Sequence, residues 1–78
     1  MKMFNEYDTF VLSQKIEDET IPIGTCGVVL LVLDERVYEV EFPDGKGGNL
    51  GRTTYTITED KMCLNEDTFF ALHSKNLK

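Results

Sequence analysis

The chain has 78 residues, 41% of them hydrophobic and 28% charged, and its 14 Asp and Glu against 8 Lys and Arg give a net charge of −6. That length holds one core and hence one domain, residues 1–78, and the composition is that of a folding chain, not a disordered one. Few side chains can be spared from so small a core, so a self-contained enzyme is not expected, and the acidic balance disfavours a phosphate backbone as partner, so no nucleic acid is expected either.

Met1 to Glu6 turns polar before an apolar run of signal-peptide length can form. The longest apolar run, Val28 to Leu33, is far short of the roughly 20 residues that cross a bilayer. A cytoplasmic protein without a membrane partner is the expectation.

Tyr7 to Leu12, rich in aromatic and β-branched residues, predicts a first strand. Ser13 to Ile23 is a polar excursion carrying Glu17-Asp18-Glu19 and closing on Ile21-Pro22-Ile23-Gly24, where proline forbids a central strand and glycine marks a turn. Gly24-Thr25-Cys26-Gly27 brackets the entry to the Val28–Leu33 run, which is too short for an ordinary helix and predicts the second strand. Asp34-Glu35 breaks it. Val37 to Phe42 then alternates, with Tyr38, Val40 and Phe42 on one face and Val37, Glu39 and Glu41 on the other. Pro43-Asp44-Gly45-Lys46-Gly47-Gly48 is the densest turn signal in the chain. Arg52 to Thr58 alternates again as a fourth strand, Glu59-Asp60-Lys61 forms a tight turn, and Met62 to Leu64 makes a short closing edge. The tail from Asn65 to Lys78 is open between helix and strand: Asn65 can cap a helix with Glu66 and Asp67 in its first turn, whereas Phe69-Phe70 favours a strand.

Alternation assigns the core to Phe10, Leu12, Val28, Leu30, Val32, Tyr38, Val40, Phe42, Tyr55, Ile57 and Leu64. It leaves Val29, Leu31 and Leu33 pointing outward, and the tail residues Phe69, Phe70 and Leu72 are expected to fold back over them. Five short strands with a long polar loop after the first describe an all-β domain, a small SH3-like antiparallel barrel over residues 7–64 with a C-terminal extension over 65–78.

Asp8-Thr9-Phe10-Val11-Leu12, Gly24-Thr25-Cys26-Gly27-Val28-Val29, Tyr38-Glu39-Val40-Glu41-Phe42 and Gly51-Arg52-Thr53, in that order, resemble a family of small bacterial SH3-like proteins classed as a domain of unknown function. The family is marked by D-x-V-x-L, G-x-x-G-x-V-V and Y-x-V-E-F segments and a later G-R-T. The chain departs from it at Asp34-Glu35-Arg36, a tighter connection without the usual glycine, and at Leu31, where members often carry a charge. The resemblance carries no catalytic residues. Because members often stand beside toxin-like proteins, it implies a binding role of the antitoxin or immunity kind.

No chemistry-bearing constellation competes with that reading. Cys26 and Cys63 lack further ligands at metal spacing, so no metal or cofactor is expected, and they read as two small buried residues in a reducing compartment. His73, the only histidine, could form a Cys–His pair only without an orienting third group. The carboxylates are spread over loops and one strand face instead of forming an isolated pair, and the glycine-rich loop lacks the spacing and the following helix of a phosphate cradle. Acid density selects Glu17, Asp18, Glu19, Glu39 and Glu41 as the partner-binding residues. They imply a protein partner with a basic surface, met by a monomer or weak dimer. An accessory subunit of a larger enzyme is the alternative, and RNA or ribosome binding the second.

Overall fold

The computed structural model describes residues 3–43 and 54–73, the last two by their backbone only. Along the chain come β1 (Thr9–Leu12), β2 (Cys26–Asp34), β3 (Val37–Glu41), β4 (Thr54–Thr58), a 3-10 turn (Glu59–Lys61), β5 (Met62–Cys63) and a helix, α1 (Glu66–His73). All five strands belong to one antiparallel sheet in the order β4-β3-β2-β1-β5. The domain is thus mostly β, as expected. Among the described residues β4 and β5 are the two edges of an open sheet. The expected glycine-rich turn, from Asp44 onward, and the start of the expected fourth strand at Arg52 and Thr53 lie outside the described residues.

β1 starts at Thr9, two residues later than expected, because Tyr7 has a φ of 69° in the left-handed region. It sits in a turn where the Asn5 N–H donates to Asp8 Oδ2 (2.8 Å) and the Asp8 N–H to the Asn5 carbonyl (3.1 Å). The turn stays tied to β2, since the Tyr7 N–H donates to the Val29 carbonyl (2.6 Å) and the Val29 N–H to the Asp8 carbonyl (2.8 Å).

β2 departs most from simple alternation. Val29 faces Val40, yet Leu31 faces Glu39; Val32 faces Tyr38, yet Asp34 faces Val37. Leu30 and Leu33 are therefore the extra residues of two bulges, and each bulge reverses which side the following residues face. Val29 and Val32, three apart, both point inward; Val29 is fully buried and Val32 packs against the core. Val28 and Leu30, expected inside, are only half-buried, and Val29, expected outside, is a core residue. The second bulge adjoins the Glu35-Arg36 turn, which keeps negative φ at both positions. Such a turn splays its strands, and the added twist of the bulge offsets that.

The core is a row of aromatic rings in edge contact. Tyr38 meets Phe4 (5.5 Å between centroids), Phe4 meets Phe10 (6.2 Å), Phe10 meets Phe42 (5.6 Å) and Phe42 meets Tyr55 (5.6 Å). Each such pair adds about 0.5–1.5 kcal/mol beyond the area it buries. Both ends of the row are hydroxyls that hold irregular backbone. At one end the Met3 and Phe4 N–H groups donate to Tyr38 Oη (3.1 and 3.2 Å), which in turn donates to the Glu35 carbonyl (3.3 Å). At the other the Tyr55 hydroxyl donates to Asp18 Oδ2 (2.9 Å). Phe10 fits because its partner across the ladder is Gly27: a Cβ there would lie 2.4 Å from Phe10 Cζ. Ile16 and Ile21 join this core from the 13–23 loop and Met62 from β5, while Leu64, expected inside, is half-exposed.

Within the tail, Glu66–His73 form a helix. Asn65 Oδ1 accepts the Thr68 N–H (2.8 Å) as an N-cap, and Glu66 and Asp67 complement the helix dipole in the first turn. α1 packs on β1 and β5. There Val11 and Cys63, paired in the ladder and facing away from the aromatic core, are buried all the same. The expected cover of Val29, Leu31 and Leu33 by Phe69 and Phe70 is not found: Leu31 and Leu33 are half-exposed, and Phe70 is 60% exposed. The tail does fold back on the outer face of the sheet, but over β1 and β5, because the short Leu64-Asn65 link from β5 keeps the helix beside its own strand.

Candidate functional site

Ladder partners point to the same side of a sheet, so the register of β2, β3 and β4 defines the outer face. One row across it reads Thr54, Glu41, Val28, Thr9; the next reads Thr56, Glu39, Leu31; the third reads Thr58, Val37, Asp34. Threonines thus line β4, β3 carries Val37, Glu39 and Glu41, and β2 carries Val28 and Leu31 before Asp34. The ladder neighbours of Glu39 and Glu41 on this face are neutral, and the Thr56 hydroxyl donates to Glu39 Oε1 (3.0 Å). Two carboxylates about 7 Å apart on one strand, with no cation in the ladder position opposite either among the described residues, make a local negative field beside Val28 and Leu31. Leu31 comes to that face only because of the Leu30 bulge; in unbroken register it would face Tyr38 from the inside.

The loop acids divide. Glu17 and Glu19 are exposed, but Asp18 between them is 2% exposed and turned into the core. Its carboxylate accepts the Tyr55 hydroxyl on Oδ2 and the Thr20 N–H (3.0 Å) and hydroxyl on Oδ1, so it fixes the loop from within instead of facing a partner. Asp18 therefore leaves the candidate binding set. Glu17 lines a groove of about 230 Å³ with Ile16, Thr56, Ile57, Thr58 and Lys61. Thr56 belongs to both this groove and the Glu39 row, so the two adjoin at Thr56. Glu19 is exposed on the same loop but does not line that groove.

Further hollows lie elsewhere among the described residues. One of about 370 Å³ lies among Met3, Arg36, Thr58, Glu59 and Asp60, where Arg36 Nε stands 3.7 Å from Glu59 Oε1. Another, about 340 Å³, is lined by Thr9, Phe10, Val11, Cys26, Asn65 and Glu66, and there the Cys26 thiol donates to Glu66 Oε1 (3.5 Å). Cys26 is exposed, against the expectation of two buried cysteines, because it stands near the start of β2 at the rim of the helix-covered face. Among the described residues no group of three His, Cys, Asp or Glu is arranged to hold a metal ion, and no helix is long and apolar enough to cross a membrane. The His73 side chain lies outside what the structure describes.

Alternation sets Leu31 outward, as the structure does, but with Val29 beside it and the tail over both, and neither of those holds. β2 is apolar at every position from Val28 to Leu33, so nothing in it marks where the register breaks. No family model matches the chain, and no curated protein and no solved structure matches it either.

Proposed function

We propose that this chain is a non-enzymatic protein-binding module of SH3-like build that acts through its acidic surface on a basic protein partner, in an inhibitor, antitoxin or immunity role. The observation that carries the reading is the outer face of β3, where Glu39 and Glu41 have neutral ladder neighbours and adjoin the half-exposed Leu31. Acids left in that setting, on a chain of net charge −6, attract a basic surface over a Debye length and orient it before contact. The strand order β4-β3-β2-β1-β5, the long bulged β2 and the 3-10 turn between β4 and β5 support the SH3-like assignment.

The test is the association rate of the partner recovered from the native host, measured by stopped flow over a range of salt. Charge at an interface acts mainly on association. Glu39→Lys/Glu41→Lys should slow it by about tenfold or more and flatten its salt dependence, and Glu17→Lys should add a smaller effect. Rates and salt slopes equal to the unaltered protein's would remove the acidic face from the mechanism.

A further inference from the structure

Resting on that reading, we infer that the partner element seated on this protein is a single basic amphipathic helix, laid across the outer face of β2 and β3 with its apolar residues on Val28 and Leu31 and its cations on Glu39 and Glu41. The face is narrow. Three strands at about 4.8 Å spacing span about 10 Å between the outer two, which is the diameter of one helix and much less than a globular partner covers. Along β3 the two carboxylates stand about 7 Å apart, close to the 6 Å rise between helix positions i and i+4. Positions i+3 and i+7 of the same helix form the neighbouring stripe, and the neighbouring stripe here is the apolar edge of β2.

Charge excludes a second copy as the occupant. Two such faces meeting would set Glu39 and Glu41 against their own equivalents, and like charges brought together in an interface cost several kcal/mol. The chain's own helix does not take the place either, since α1 packs on β1 and β5 and Leu31 remains 50% exposed. Leu31 reaches this position through a bulge, and a bulge re-aims a side chain at the cost of a regular ladder.

The probe is a synthetic peptide with Lys at i and i+4 and Leu at i+3 and i+7, repeated over three turns, beside a scrambled peptide of the same composition. Both are titrated into the isotopically labelled full chain and followed by amide chemical shifts. The ordered peptide should move the amides of residues 28–31, 39–41 and 56, and the scrambled one should bind at least tenfold more weakly. Leu31→Asn should weaken the ordered peptide by about tenfold, as loss of a central apolar anchor does. Leu64→Asn, at a leucine equally exposed in another part of the chain, should leave it unchanged. Shifts confined to the 13–23 loop would overturn the helix site while leaving a basic partner in place. Binding of neither peptide would overturn both readings. Equal binding of the two would refute the proposed spacing, and a dimer in sedimentation that Leu31→Asn dissolves would make a second copy the occupant.

Discussion

Replacing Gly27 by alanine tests the packing of the core at its tightest point. The added methyl would stand 2.4 Å from Phe10 Cζ, 2.6 Å from Cε1 and 3.1 Å from the Glu41 carbonyl oxygen. Two carbons rest at about 3.5–4.0 Å, so the ring must retreat by roughly 1 Å. Phe10 is 1% exposed, with Phe4 and Phe42 against its edges, and has nowhere to go without moving them. Overpacking of this kind costs about 1–3 kcal/mol, against which alanine's smaller freedom in the unfolded chain returns about 0.4–1 kcal/mol. A net loss of about 1–2 kcal/mol corresponds to a melting temperature lower by about 4–16 °C in a domain of this size. The sharper measurement is a double-mutant cycle in urea with Phe10→Leu, which removes the clashing ring atoms. Phe10→Leu should recover about 1 kcal/mol or more of the Gly27→Ala loss, because the two residues share one space. Additive losses, or a Gly27→Ala protein as stable as the parent, would mean that the ring does not occupy the space above Gly27.

Three further outcomes follow from the same structure. Tyr55→Phe takes from the buried Asp18 carboxylate one of its donors and should cost about 1–3 kcal/mol in urea denaturation; a loss inside the roughly 0.5 kcal/mol of a neutral surface change would refute the role given to that bond. The Asp60 carboxyl is held below the ordinary range, first by the Thr58 hydroxyl and then by Lys61, so it favours the folded state above the unfolded carboxyl's pKa and loses that contribution as pH falls through its own depressed value. Thr58→Val should raise it toward the ordinary value and shrink the stability lost below about pH 4, read by a carboxyl NMR titration; an unmoved titration would exclude the hydroxyl as the cause. Finally, a thiol reagent should label the exposed Cys26 at once and the buried Cys63 only slowly, and Phe69→Ala, by loosening α1, should speed Cys63 alone. Equal rates for Cys63 in both proteins would show that the helix is not its cover.

What could be read from the residues depended on whether polarity alternated. In β3 and β4 it does, and Tyr38, Val40, Phe42, Tyr55 and Ile57 fall on the inner face as alternation requires. In β2 it does not. An unbroken apolar run is compatible with either face at each position, and two bulges inside it shift the register without leaving a polar mark. The tail carried its signal in Asn65, whose side chain caps α1, although Phe69-Phe70 argued for a strand; the adjoining strand β5, not propensity, decided where the helix lies. Asp18 was hidden by its acidic neighbours. The spacing Asp18-Glu19-Thr20 is that of an Asx turn, in which the carboxylate bonds the amide two residues on, and it could have marked Asp18 as the member of the triplet turned inward. Phe4 sits in no periodic stretch, and its contacts with the rings of Phe10 and of Tyr38, 34 residues away, reveal it as core.

The row of rings from Tyr38 to Tyr55 also makes the molecule its own optical reporter. The chain has no tryptophan and three tyrosines, and Tyr7 is 75% exposed, so the near-ultraviolet circular dichroism of the folded state comes largely from Tyr38, Tyr55 and the phenylalanines locked between them. One phenol watches the segment before β1 and the other the loop after it. With either tyrosine replaced by phenylalanine, the remaining band follows one end of the sheet alone, and an opening at that end registers without any attached dye.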